Sequence, residues 1–265
     1  LEEIEVIAEL RKRGYQVDVT YNNPSAVTVP VDFEFSFEAL NDYDVILLGR
    51  GAGSGDFTDA EAWAAVETPI ILLNAYLVRN NRLKIINSSS ATRENVDGNA
   101  VDKDRITNIS IVDHPIFTGL MDTDEIPYLT WFYDYVAYGA DTFELNHNAT
   151  LLGTLSDPGG PGDGTVYMAL WEEGVEPYDG AGFNFAGPRL YMQMGSDDNS
   201  SPKIRNYTPF TTEAYIALFN ALAYLQGMDP TGVLPDAGPV AMWDMSDGEG
   251  TKVTDIVGGA HGEVM

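Results

Sequence analysis

The sequence predicts an α/β fold: a doubly wound, mostly parallel sheet, followed by a fragment of a β-sandwich. Residues 1–13 place apolar side chains at helical spacing, and after a glycine residues 15–21 alternate, which together make half of a βαβ unit. Residues 44–49 (DVILLG) and 69–74 (PIILLN) are apolar runs typical of strands that are buried on both faces. A helical pattern at residues 59–66 separates the two runs, as a parallel connection requires.

Further elements follow in the second half of the chain. Residues 149–155 and 166–172 are predicted strands, and the turn-rich segment 157–164 (DPGGPGDG) between them predicts a hairpin loop. Residues 189–194 (RLYMQM) predict another strand. Residues 211–226 predict a helix with a threonine cap and a glycine stop.

Composition excludes several classes of partner. The 265 residues include 41 acidic and 14 basic side chains, which give a net charge of -27. Such a surface repels phosphate backbones and anionic lipids, so we expect no nucleic-acid partner. No apolar stretch approaches the roughly 18 residues of a membrane span, so no membrane insertion is expected. The absence of cysteine excludes disulfides and a thiolate nucleophile.

Several phrases of the chain resemble one known family. They are LRKRGYQVDVTY, NDYDVILLGR, ETPIILLNAYLVR, DHPIFTGL, GPRLYMQMGSDDN and FTTEAYIALFNALAYL. Over residues 1–228 they resemble the class I glutamine amidotransferase-like domains, which are flavodoxin-like, and within them the ThuA-like (trehalose-utilisation-like) branch. The resemblance implies a sheet flanked by helices, with a cleft at the carboxyl ends of the strands.

The end of the chain resembles a different family. After a proline-rich linker, residues 229–239, the segment 240–265 resembles the first strands of a laminin-G or concanavalin-like sandwich through AMWDMSDGEGTKVTDIVGGAHGEV. The first helix lacks a preceding strand and the sandwich lacks its later strands, so we expect a piece of a longer protein. The pairing is similar to exported bacterial proteins, which implies an extracellular or cell-surface location.

A ligand site is predicted at the carboxyl ends of the two buried runs. Arg50, Gly51 and Gly53 belong to a glycine-rich loop whose backbone N–H groups could cradle an anion. Asn74 and Tyr76 follow the next run, and ligands bind at this edge in open α/β sheets. A plain turn between strand and helix is the alternative, because no nucleotide-binding fingerprint surrounds the loop.

No catalytic residue is predicted. Amidotransferase chemistry requires a cysteine on a tight turn, paired with a histidine. The turn after PIILLN offers Asn74, Ala75 and Tyr76 instead. The sequence therefore leans toward a protein that is not an enzyme.

Calcium is the candidate cofactor, and no other is expected. Hard cations take several oxygen ligands, and two acidic groups supply them. The predicted metal residues are Asp97, Asn99, Asp102 and Asp104 in a polar loop and Asp244, Asp247 and Asp255 in the sandwich fragment. The spacing does not match an EF-hand, and a solvated loop is the alternative for the first group.

These observations predict a noncatalytic module of an extracellular or cell-surface protein, which serves adhesion, carbohydrate contact or assembly of a surface structure. Its partners would be carbohydrate or other copies of itself. Aromatic residues that could stack on sugars, or pack in the core, are Trp131, Phe132, Tyr133, Tyr135 and Tyr138. The alternatives are a saccharide hydrolase, using carboxylates such as Asp124, Glu125 and Asp134, and a purely structural subunit.

Overall fold

The structure is a computed structural model, and it describes the backbone of most of the chain. The described residues are 4–19, 36–89, 92–94, 105–120, 124–130, 135–137, 148–160, 162–195, 209–230, 243–244, 252–255 and 262–263. For residues 4, 92–94, 135–137 and the last three segments, the description covers the backbone alone.

Helices and strands alternate irregularly along the described chain. The α-helices are α1 (Ile4–Lys12), α2 (Ala60–Ala64) and α3 (Thr212–Leu225), and 3₁₀ turns lie at Ala39–Asp42, Ser54–Asp56 and Pro115–Phe117. The strands are β1 (Ile46–Leu48), β2 (Ile70–Leu72), β3 (Thr92–Glu94), β4 (Arg105–Ile109), β5 (Glu125–Leu129), β6 (Tyr135–Ala137), β7 (Ala149–Ser156), β8 (Val166–Trp171), β9 (Arg189–Met192), β10 (Trp243–Asp244), β11 (Lys252–Asp255) and β12 (Gly262–Glu263).

Seven of these strands form one sheet in the order β1-β2-β9-β8-β7-β4-β5. The pairs β1–β2 and β2–β9 are parallel, whereas the four pairs from β9 to β5 are antiparallel. The sheet is therefore mixed, and the predicted doubly wound, mostly parallel flavodoxin-like fold is wrong.

The connections explain the error. Parallel neighbours need a crossover of about a dozen residues or more, usually a helix. Residues 157–165 join β7 to β8 in a connection that permits an antiparallel hairpin, as the turn-rich segment predicts. The described residues between β4 and β8 include no α-helix that could carry a crossover. Strands β4, β5, β7 and β8 therefore pair antiparallel, unlike β1 and β2.

The core is divided between the two faces of the sheet, because neighbouring residues of a strand point to opposite faces. Leu190 and Met192 of β9 pack in one cluster with α1 and α3, whereas Tyr191 packs in another with α2 and residues 75–86. We call these the α3-side and the α2-side core. Trp63 and Trp171 belong to the α2-side core.

Helix α3 is fixed by hydrogen bonds at its start and its middle. Thr211 caps it, since its Oγ1 accepts from the Ala214 N–H at 3.1 Å. Asn220 donates from Nδ2 to the carbonyl oxygens of Ile116 and Thr118, both at 2.9 Å. The DHPIFTGL phrase therefore folds into a turn that holds α3.

Arg189 joins β9 to the end of α2. Its side chain is buried, and Nη2 donates to the carbonyl oxygens of Trp63 at 2.9 Å and Val66 at 2.7 Å. Nη1 donates to the carbonyl oxygen of Gly187 at 2.8 Å. Burial lowers the pKa of Arg189 to about 9, so the guanidinium stays charged at neutral pH. The negative end of the α2 dipole and the loop carbonyl groups stabilise the positive charge of the guanidinium.

Two smaller sheets accompany the main one. Strands β3 and β6 pair antiparallel, and β10, β11 and β12 form a three-stranded antiparallel sheet. The predicted laminin-G-like identity of residues 240–265 and the domain boundaries stay predictions. Among the described helices, none combines the length and the hydropathy that a membrane crossing requires.

Candidate functional site

The predicted ligand residues lie at the edge where β1, β2 and β9 end. These three strands run parallel, so the residues that follow them meet at one side of the sheet. Arg50 follows β1, Asn74 follows β2, and Gln193 follows β9; the side chains of all three are buried. We call this the carboxyl edge.

Asn74 is the centre of this edge. Its Nδ2 donates to the carbonyl oxygens of Arg50 at 2.8 Å and Ala52 at 2.9 Å. Its Oδ1 accepts from the Tyr76 N–H at 2.8 Å. Both amide hydrogens and one oxygen lone pair are thus used to tie the loop after β1 to the turn after β2. Asn74 positions the backbone, which leaves little of its side chain for a ligand.

Tyr76 takes part in the same set of contacts between the loop after β1 and the turn after β2. It is 2% exposed, and its ring lies under the guanidinium of Arg79, whose Cζ is 4.8 Å from the ring centre. Arg79 also donates from Nε to the Tyr76 carbonyl at 2.9 Å and from Nη2 to the Ser54 Oγ at 3.1 Å. Arg79 therefore links the turn after β2 to the loop after β1.

The glycine-rich loop forms turns. The Ala52 N–H donates to the Gly49 carbonyl at 3.1 Å, and the Asp56 N–H donates to the Gly53 carbonyl at 3.0 Å. Neither Gly51 nor Gly53 has a positive φ, which the alternating conformation of an anion-binding nest would require. The loop geometry favours the plain turn over the anion cradle.

No nucleophile stands on the turn after β2. Asn74 and Ala75 are fully buried and Tyr76 nearly so. A carboxamide, a methyl group and a buried phenol supply no group that could attack an acyl carbon at neutral pH. The turn after β2 is therefore buried from solvent, and its side chains offer no nucleophile.

An ion pair lies at the same edge, where β4 begins and β7 ends. Arg105 Nη1 is 3.0 Å from Asp157 Oδ2, with the arginine side chain 1% and the carboxylate 15% exposed. Removing one partner of such a pair leaves a buried charge, so the pair fixes these two strand ends. The carboxylate of Asp157 is thus held by a buried arginine.

Gln193 is the residue that sequence reasoning missed. It is fully buried, and its backbone N–H donates to the Tyr167 carbonyl at 2.9 Å. Tyr167 in turn packs against Tyr128, with ring centres 5.4 Å apart, and burial raises the pKa of Tyr128 well above its usual value. The polar positions in RLYMQM alternate with apolar ones, and this alternation could have indicated that Arg189 and Gln193 share one face.

The structure describes only two of the seven predicted calcium ligands, and those two by their backbone alone. Asp97, Asn99, Asp102, Asp104 and Asp247 lie outside the described residues. Asp244 and Asp255 are described by backbone alone; Asp244 pairs with Thr254, and Asp255 pairs with Trp243. Within the described side chains, no group of three or more His, Asp or Glu residues could hold a metal. The calcium sites stay predictions.

The remaining candidates are placed only in part. Trp131, Phe132, Tyr133, Tyr138 and Asp134 lie outside the described residues, and Tyr135 is described by its backbone. Glu125 accepts at Oε1 from the Ser156 hydroxyl at 3.0 Å, at the exposed surface. The sugar-stacking platform and the pair of catalytic carboxylates stay predictions.

His114 has a structural role in the DHPIFTGL turn. Its Nδ1 accepts from the Ile116 N–H at 3.3 Å, and its ring centre is 5.1 Å from that of Tyr224 on α3. Burial lowers the pKa of His114. An unprotonated Nδ1 is needed for this bond, so the histidine acts as a neutral cap.

Comparison with known proteins gives little beyond this geometry. No family model matches the chain, and no curated protein matches it. One solved structure that is similar to this chain is the cytoplasmic protein STM3548 from Salmonella typhimurium, at 17% identity and a TM-score of 0.45, with 83% of this chain and 85% of that chain covered. The ThuA-like and laminin-G-like resemblances stay predictions.

The location expected from the sequence does not survive this comparison. The name of the similar structure describes a cytoplasmic protein, which contradicts the extracellular or cell-surface location. We withdraw that location. At this identity and TM-score, the name assigns no other location to this chain.

Proposed function

We propose that this chain is a noncatalytic module, which serves contact with a carbohydrate or assembly with other chains. The observation that carries the proposal is the turn after β2. Asn74 uses both amide hydrogens to bind the carbonyls of Arg50 and Ala52. The position where a nucleophile would stand is therefore occupied by a buried side chain that holds the backbone. Catalysis by covalent attack requires an exposed, activated group at that point.

The second support is the ion pair at the same edge. The carboxylate of Asp157 is 3.0 Å from Arg105 Nη1 and is 15% exposed, so it is held by the arginine. A saccharide hydrolase needs two carboxyl groups that flank the scissile bond. A carboxylate held in this way is poorly placed to be one of them. The hydrolase alternative would depend on other carboxylates, and it has no observation in its favour here.

Turnover assays test the proposal. We expect the purified chain to release no product from glutamine, from nitrophenyl esters or from a panel of nitrophenyl glycosides. Turnover that survives repurification and is abolished by Asp157→Asn or Glu125→Gln would overturn the noncatalytic assignment. A turnover that neither substitution changes and that separates from the chain in size-exclusion chromatography would belong to a contaminant.

Binding assays test the positive half of the proposal. A glycan array and sedimentation velocity at increasing protein concentration measure the two roles separately. We expect saturable binding to at least one glycan or a concentration-dependent assembly. A chain that binds no glycan and stays monomeric at every concentration would contradict both roles.

A further inference from the structure

One segment of the chain departs from the acidic composition of the rest. Residues 68–93 contain no Asp or Glu, although the whole chain has 41 acidic residues among 265. The same segment contains four of the 14 basic residues, Arg79, Arg82, Lys84 and Arg93. Its charge is therefore opposite in sign to that of the molecule as a whole.

Three of these basic residues lie on one short turn after β2. The backbone N–H groups of Arg82 and Lys84 both donate to the Arg79 carbonyl, at 2.9 Å and 3.0 Å. One carbonyl oxygen thus brings the backbones of three basic residues together, and all three residues are partly exposed. Arg79 also donates from Nη2 to the Ser54 Oγ at 3.1 Å, so the turn adjoins the carboxyl edge. We call residues 79–84 the basic turn.

The α2-side core holds the basic turn in place. The N–H groups of Ile85 and Ile86 both donate to the Val78 carbonyl, at 3.0 Å and 2.9 Å. Lys84 has a φ of 51°, a left-handed conformation that is uncommon outside glycine and persists where the surrounding structure enforces it. The buried residues on either side of the turn are Leu77, Val78, Leu83, Ile85 and Ile86. The turn is thus preorganised, and a ligand would not have to order it.

Uncharged hydrogen-bonding side chains lie beside the basic turn. The Asn80 N–H donates to the Ser88 carbonyl at 3.0 Å, which brings residues 87–89 next to the turn. Asn81, Asn87 and Ser89 are exposed. Amide and hydroxyl groups both donate and accept hydrogen bonds, as the hydroxyl groups of a sugar require. This surface therefore combines cations for an anionic group with neutral partners for the hydroxyl groups around it.

The net charge of -27 limits the length of the anion that this surface can bind. At physiological ionic strength, charges are screened beyond about 8 Å. A short anion at the turn meets mainly Arg82 and Lys84, and within the part of the chain that is described neither of them forms an ion pair. A long polyanion would also meet the acidic surface and be repelled.

We propose that the basic turn binds a short acidic oligosaccharide. Arg82 and Lys84 would bind its carboxylate or sulfate group, and Asn81 and Asn87 would bind neighbouring hydroxyl groups. The inference rests on the carbohydrate contact proposed above, and it adds the class of carbohydrate and the surface that binds it.

Calorimetric titration with matched probes tests the ligand class. Trigalacturonate supplies carboxylates, its methyl ester is the neutral control, and a sulfated tetrasaccharide from carrageenan supplies sulfates. We expect saturable binding of at least one acidic probe, and the methyl ester should bind at least about tenfold more weakly than trigalacturonate if the carboxylate is the ligand group. A DNA oligonucleotide and phosphatidylserine vesicles represent long polyanions, and tighter binding of either would overturn the proposal.

Substitutions in the basic turn test the surface. Arg82→Gln and Lys84→Gln each remove one charge, and each should weaken binding of the acidic probe about fivefold, since ion pairs at a partly exposed surface are weak. Lys84→Gly removes the same charge and relieves the left-handed conformation, so it should lose as much binding in a protein that is at least as stable. Arg11→Gln, at an exposed arginine of α1, is the control and should bind as the unmodified chain does.

The outcomes separate this inference from the proposed function. Binding of an acidic probe that Arg82→Gln and Lys84→Gln leave unchanged would overturn the role of the basic turn and keep the carbohydrate contact. A chain that binds neutral glycans but neither acidic probe would also overturn this inference alone. A chain that binds no glycan at all would remove both the carbohydrate contact and this inference.

Discussion

Replacement of Arg189 by methionine should destabilise the protein through the end of α2. Arg189 is 2% exposed, and its guanidinium donates to carbonyls on two segments that are far apart in sequence, residues 63–68 and 187–188. Methionine has a similar reach but no donor. The change therefore removes the bonds while it keeps most of the packing.

The expected loss follows from two opposing terms. Four bonds are 2.9 Å or shorter, those to Trp63, Val66, Gly187 and Pro188. At about 1.5–2 kcal/mol for each charge-assisted bond, they stabilise the fold by about 6–8 kcal/mol. Burial lowers the pKa of Arg189 from 12.5 to about 9, which corresponds to a cost of about 5 kcal/mol. With the carbonyls left buried and unpaired, Arg189→Met should cost about 2–4 kcal/mol.

Urea unfolding followed by tryptophan fluorescence measures this loss, because Trp63 and Trp171 are buried and report on the α2-side core. Arg189→Lys should lose less, about 1–2 kcal/mol, since an ammonium keeps the charge but reaches fewer carbonyls. Arg11→Met, at an exposed arginine, is the control and should stay within about 0.5 kcal/mol. An Arg189→Met variant as stable as the control would refute the argument.

Three further predictions concern other contacts. Gly187→Ala should destabilise by about 2 kcal/mol or more in urea, because a Cβ there would overlap the backbone of Glu67, whereas Gly55→Ala, which meets no atom within 4 Å, should have almost no effect. His114 has a lowered pKa in the folded state, so its contribution to stability is present above pH 6.5 and is lost as pH falls through the folded pKa; melting temperatures between pH 7.5 and 5 should show this fall, and His114→Asn should reduce it. Asn74→Ala should cost about 2–3 kcal/mol of unfolding free energy through two orphaned carbonyls, and unchanged stability would argue that the amide is free for a ligand after all.

The strands and helices with strong patterns were predictable from the sequence. The runs DVILLG and PIILLN contain β1 and β2, RLYMQM contains β9, and the helix predicted at residues 211–226 is α3 with its Thr211 cap. In each case one local feature, an apolar run or a helical period with a cap, determines the element. The direction of pairing was not predictable in the same way, because it depends on connections elsewhere in the chain.

The proximity of Arg50 and Asn74 was predictable from the sequence, but the contacts that Asn74 makes were not. Arg50 and Asn74 do meet at the carboxyl edge, because both follow parallel strands. The sequence cannot show that the Asn74 amide hydrogens are bonded to backbone carbonyl groups. An asparagine that follows a strand can equally well bind a ligand. Gln193 was missed because its neighbours in RLYMQM are apolar and its burial depends on β8, which precedes it by more than 20 residues.

The order of strands also bears on how the chain is made. The strand that is synthesised last in the main sheet, β9, is inserted between β2 and β8 near its middle. Until about residue 192 has left the ribosome, β2 has no partner on the side away from β1, and one edge of the apolar run PIILLN remains unpaired. Nascent chains that stop in the hairpin region should therefore need a chaperone, and the molecule should acquire its stability in one late step.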